Sequence, residues 1–138
     1  MKALCRLNFD CGRQGSLEGI FIADTEDVKY LVENKVIVYF GEVLGKHSEI
    51  YGPVEQKEIE LITTEANVIE VVEKYGLSTG YNPFGYNLCA DGMEDVPDNG
   101  VDWNDCTVQE YIDFMRKGIV PEYYKEDYEN WLNENKED

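Results

Sequence analysis

Histidine occurs once in the 138 residues, at His47, and lysine and arginine together number only 12 against 29 aspartates and glutamates. A single imidazole excludes multi-histidine metal sites and leaves carboxylates as the main source of any general base. The shortage of cations produces a formal net charge of −17, a field that repels phosphate backbones and anionic lipid surfaces and draws basic partners inward. Direct binding of DNA or RNA is therefore disfavoured. No stretch approaches the roughly 18–20 apolar residues needed to cross a bilayer, and the opening MKALCR lacks the apolar centre of a secretory leader. A cytosolic protein without a membrane partner is expected. Cys5, Cys11, Cys89 and Cys106 show no C-x-x-C spacing and have only His47 as a nitrogen co-ligand, so they are read as reduced thiols, and no metal or cofactor is expected.

What is present suffices for one core. Apolar residues make up 43% of the chain against 30% charged, enough to offset the entropy cost of folding, and the length matches a single domain. Residues 2–9 alternate, with Cys5, Leu7 and Phe9 on one face, and Gly12 and Gly15 turn the chain into a returning strand over 17–23. Asp24 or Thr25 caps a short helix carrying Val28, Leu31 and Val32. The β-branched and aromatic run 36–44 (VIVYFGEVL) reads as a strand that pairs with 57–63 across a polar turn. A helix over 65–75 follows, ended by Gly76. The order is ββαββα, which predicts an α+β fold with a four-stranded antiparallel sheet and both helices on one of its faces. Residues 1–87 form this core, and 88–138 add an acidic loop and two helices. The first of these is introduced by the capping pair Thr107 and Glu110, the second by Pro121 at its first position, with Tyr124, Tyr128, Trp131 and Leu132 along one stripe.

The charge is unevenly spread. Residues 1–90 hold 14 acids and 8 bases, whereas 91–138 hold 15 acids and 4 bases. Acidic loops invite a calcium reading, but aligning Gly100 with the glycine of a calcium-binding loop places Pro97 and Cys106 where oxygen ligands are required, so no metal site is assigned. Similarly, 41–48 (GEVLGKHS) approaches a phosphate loop but is one residue short between glycines, with His47 in place of Ser or Thr. Ten tyrosines, five phenylalanines and two tryptophans complete the inventory, and several stand in loops, where rigid rings amid polar groups serve as binding anchors.

The segments 39–49 (YFGEVLGKHSE) and 80–84 (GYNPF) resemble stretches of small bacteriophage proteins, over roughly residues 4–86. In size and acidity the chain is similar to anti-CRISPR and anti-restriction inhibitors, viral anti-defence proteins that act as nucleic-acid mimics. Its α+β layout also resembles Thoeris anti-defence sponges, which sequester nucleotide signals. The resemblance implies a counter-defence protein in the cytoplasm of a bacterial host.

The leading expectation is a non-enzymatic inhibitor that presents carboxylates to the basic groove of a host nuclease or CRISPR effector. Its contacts are Glu94, Asp95, Asp98, Asp102, Asp105, Glu126, Asp127 and Glu129, with Trp103 and Tyr124 as anchors. The alternative is a sponge for a nucleotide-derived signal. Its ring stacks on Tyr81, Phe84 or Tyr86 and its phosphates are held by Arg6, Arg13, Lys46 and His47, in a pocket completed across a homo-oligomer interface. A small enzyme of unfamiliar type is the third reading, lacking a paired base and nucleophile.

Overall fold

The computed structural model describes residues 1–44 and 48–135. The alternation at the start of the chain builds β1 (Lys2–Asp10), and β2 (Ser16–Asp24) returns along its whole length, from Lys2 opposite Asp24 to Asp10 opposite Ser16. The period of two sends Ala3, Cys5, Leu7, Phe9, Leu17, Phe21 and Ala23 to one buried face and leaves Arg6, Asn8 and Glu18 in water. Asp24 closes β2 and caps α1 (Thr25–Glu33), its side chain accepting from the Glu26 amide at 2.8 Å.

The second hairpin departs from expectation. The strand β3 (Ile37–Gly41) pairs with β4 (Ile50–Pro53), inside the segment read as a polar turn, and not with 57–63. The latter segment becomes β5 (Ile59–Thr63) and pairs antiparallel with β1. Buried Val54 and a 3-10 turn at Gln56–Glu58 carry the chain across, and the buried Glu58 carboxylate ties the crossing to β1. It accepts from the Asp10 amide at 2.8 Å and the Glu55 amide at 2.9 Å. This long-range pairing supplies partners for backbone groups along the second side of β1, which a purely local hairpin would leave without a strand.

Beyond α2 (Ala66–Tyr75), β6 (Thr79–Gly80) completes a four-stranded antiparallel sheet in the order β5-β1-β2-β6. The expected sheet exists with a different membership. A second sheet, unexpected, is β4-β3-β7, with β7 at Asn87–Leu88. At the β2–β6 crossing the backbones approach so closely that a Cβ on Gly19 would stand 2.1 Å from the Tyr81 carbonyl oxygen and one on Gly80 2.3 Å from that of Glu18. The inner faces of the two sheets meet through Phe9 and Phe40, whose ring centroids are 5.2 Å apart.

The helices are divided between the faces of the four-stranded sheet. Val28 and Leu31 of α1 enter the core between the sheets, with Val108, Tyr111 and Ile112 of α3 (Val108–Lys117). Ile69 and Val72 of α2 are buried outside that core, and Glu73 of the same helix meets Lys2, on the opposite face of β1, at 3.1 Å. The expected single helical layer is thus two, because the core side of the sheet is occupied by the second sheet and α3. The core also crosses the boundary expected at 87: Leu88, Val101, Trp103, Cys106 and Val108 are buried with Leu7 and Leu17. The last helix, α4 (Lys125–Glu134), has no fully buried residue and starts after a 3-10 turn at Glu122–Tyr124, with Pro121 preceding that turn. Among the described residues no helix is long and apolar enough to cross a membrane.

Candidate functional site

The acidic stretch 91–105 is organised by its own amides. Asn99, 4% exposed, accepts from the Trp103 indole at 3.2 Å and the Val101 amide at 3.4 Å. The Asn104 side chain accepts from the Ala90 amide at 2.8 Å and donates to Asp91 at 3.1 Å, while Asp102 caps the Asn104 amide at 3.2 Å. Gly100, at φ +87°, lets α4 lie against this loop: a Cβ there would be 2.7 Å from the Asp127 carbonyl oxygen and 3.0 Å from Trp131 Cβ. The loop and α4, separate in sequence, thereby form one surface.

On that surface Glu94, Asp95, Asp98, Asp102, Asp105, Glu126, Asp127 and Glu129 are all exposed, and among the described residues none is in an ion pair. Two cations of the same third of the chain are paired elsewhere. Arg116 pairs with the buried Asp27, which also accepts from Gln109 at 3.0 Å, and Lys125 pairs with Glu122 at 2.7 Å. Tyr124 donates to Asp105 at 2.8 Å; that bond, with partial desolvation and the charges of Asp105 and Asp102, pushes the phenol up to about 12. Tyr123 donates to Glu110 at 2.7 Å. These carboxylates are held on backbone that is capped and packed, so they meet a partner without first being ordered.

Of the two expected anchors, Trp103 is a core residue. It is 2% exposed, its ring 5.5 Å from Tyr111 and 5.1 Å from Phe114, because its indole N–H finds Asn99 inside the fold. Tyr124 is half-buried, with its hydroxyl at the surface on Asp105.

The alternative, nucleotide-type set is dispersed. Phe84 is 4% exposed and packs on Phe21, with Pro83 also buried and Asn82 capping the Phe84 amide at 3.0 Å. Tyr81 and Tyr86 are half-buried against Phe40 on the core side. Arg6 projects from the other face of the sheet, paired with Glu60 at 3.3 Å, and Arg13 is exposed in the β1–β2 turn. Lys46 and His47 lie outside the described residues, as does the centre of the phosphate-loop look-alike. Among the described residues no three His, Cys, Asp or Glu side chains are grouped to hold a metal ion.

A second surface feature uses none of the residues expected to bind a protein or a nucleotide. The outer face of the three-stranded sheet carries a row in which Tyr51 and Asn87 flank Tyr39 across the ladder. A cleft of about 600 Å³ opens over this row, walled by Glu49, Cys89, Asp91 and Asn104. Tyr39 donates to Glu49 at 3.0 Å, and this bond, more than desolvation, pushes its phenol up. The signal for it was the alternation of 37–41, which sends Val38 and Phe40 inward and Tyr39 outward; the position of Tyr51 beside it depended on recognising β4. The thiol of Cys89 is half-buried at the cleft wall, whereas Cys5 and Cys106 are buried and burial pushes both up to about 11. All four cysteines are unpaired.

In comparisons with protein-family models, curated proteins and solved structures, nothing matches this chain.

Proposed function

We propose that this chain is a non-enzymatic binding protein whose acidic face, built from residues 91–105 and α4, occupies the basic nucleic-acid-binding groove of a bacterial defence protein such as a nuclease or CRISPR effector. The observation that carries this reading is that the exposed carboxylates Glu94, Asp95, Asp98, Asp102, Asp105, Glu126, Asp127 and Glu129 have no ion-pair partner among the described residues and are held on a loop and helix packed together at Gly100. A basic groove is built to bind phosphate oxygens through Lys and Arg, and pre-ordered carboxylates offer it oxygens of the same charge sign. The net charge of −17 adds long-range attraction toward such a groove and repels competing nucleic acid. Trp103 is replaced as an anchor by the half-buried Tyr124 and Trp131 at the edge of the same face.

The test is competition. Against a panel of bacterial nucleases and CRISPR effectors holding a fluorescent duplex, the protein displaces the duplex at about 50 mM salt and loses most of that ability at about 300 mM, where the Debye length is short. The triple variant Asp102→Asn, Asp105→Asn, Asp127→Asn fails at both salt concentrations. Displacement that is indifferent to salt and to this variant, or no displacement from any panel member, counts against the reading.

A further inference from the structure

We propose that the cleft over the Tyr39–Tyr51 row receives an arginine side chain of a protein partner. The inference rests on the reading of a basic protein partner and goes beyond it by naming the group recognised and a second place of contact, which adjoins the acidic face at Asp91 and Asn104. Three features point to a planar cation. Tyr39 and Tyr51 stand side by side across β3 and β4 on the solvent side of the sheet, and Tyr51 is 56% exposed, so its ring is open to a ligand. The described lining contains two carboxylates, two amides and a thiol, a set of groups that suits a cation.

The carboxylates are also pre-set. Glu49 is held through Oε1 by the Tyr39 hydroxyl and Asp91 through Oδ1 by the Asn104 amide, and the second oxygen of each has no protein hydrogen bond among the described residues. Guanidinium offers donors in a fixed plane that can reach such oxygens while its face lies on a tyrosine ring; ammonium offers a compact, strongly hydrated charge without that plane. Arginine is therefore favoured over lysine.

The experiment uses the full protein and two probes, arginine and lysine each blocked at both ends, followed by backbone amide NMR shifts. The blocked arginine shifts the amides of Tyr39, Tyr51, Asn87 and Asp91 and binds at least about 3-fold more tightly than the blocked lysine. Tyr51→Leu removes that preference and Tyr51→Phe, which keeps the ring, retains it; Glu49→Gln weakens both probes. Because Tyr51 is exposed, these variants fold, and the unchanged remainder of the spectrum verifies it. Shifts confined to α4 and to residues 93–103 and 105, equal binding of the two probes, no shift at all, or a preference unaffected by Tyr51→Leu each overturn the cleft assignment while leaving the acidic face to its own competition test. Cleft shifts with the expected preference, in a protein that displaces no duplex, uphold the cleft and remove the groove reading instead.

Discussion

Carboxylates in residues 1–87 include two that build the fold, whereas those in 91–135 mostly face water. Asp27 is buried and joins α1 to α3 through Arg116 and Gln109; Glu58 is buried and fastens the crossover to β1. Exposed acids in this first part also find cations, as in Lys2–Glu73, Arg6–Glu60 and Lys57–Glu55. In the last third, loop acids cap backbone amides or accept from tyrosines and amides, leaving their net charge outward. The apolar residues show the reverse: Trp103, Cys106 and Ile112 from the acidic third are as deeply buried as Leu7 and Leu17. An acidic segment is therefore both surface and core, and its charge is displayed by side chains standing on backbone that the rest of the molecule needs.

The strongest way to break the comparison is to end the chain after Asn87. If the last third were only a charged appendage, the remainder would fold; the shared core predicts loss of cooperative thermal unfolding and collapse of amide shift dispersion, since Leu88, Val108, Tyr111 and Ile112 are removed together. Next in size, Arg116→Leu leaves Asp27 buried without its ion-pair partner and costs about 2–3 kcal/mol in urea unfolding, with Asp27→Asn in the same chain recovering part of it. Gly100→Val, forced into positive φ and into the Asp127 carbonyl, separates α4 from the loop; limited proteolysis within residues 118–125 accelerates while the core melts within a few degrees of the parent.

Alkaline pH sharpens the contrast between buried and displayed groups. Burial raises Cys5 and Cys106 from 9.0 to about 11, so folding favours their neutral thiols. Their contribution is complete below pH 9 and is lost as pH rises through about 11. Tyr124, raised from 10.0 to about 12 chiefly by its bond to Asp105, acts in the same direction between those values. Stability measured by urea midpoint is expected to fall from pH 9 to pH 12, and Cys5 and Cys106 to be alkylated at pH 8 far more slowly than the half-buried Cys89. The smallest effect falls on the displayed acids. Asp102→Asn or Asp127→Asn shifts stability by less than about 0.5 kcal/mol, because neither is in an ion pair among the described residues, yet each reduces salt-dependent association.

The element order was legible where local rules act: the alternation in 2–9, the Asp24 cap, the Thr107–Glu110 capping box and the glycine stops at Gly76 and Gly118 all depend on neighbours a few residues away. The pairing of 36–44 with 57–63 that composition suggests does not form because Ile50 and Tyr51, followed by Gly52 and Pro53, make a nearer strand, too short to show a period. The cleft is hidden in the sequence for the same reason, since Tyr39 and Tyr51 become neighbours only across β3 and β4. The burial of Trp103 is hidden for a related reason: its sequence neighbours are polar, and its burial depends on Asn99 supplying a hydrogen-bond acceptor from within the fold.

The sequence by itself determined the charge, its concentration after residue 90, the α+β class and most helix ends, because these follow from composition and from spacings of two to four residues. Tertiary structure decided which strand lies beside β1, that the acidic third shares the core, and that loop and α4 form one face. Those outcomes turn on satisfying β1's second side, on burying Leu88 and Ile112 with Leu7, and on the absence of a Cβ at Gly100, each a contact between residues far apart in the chain.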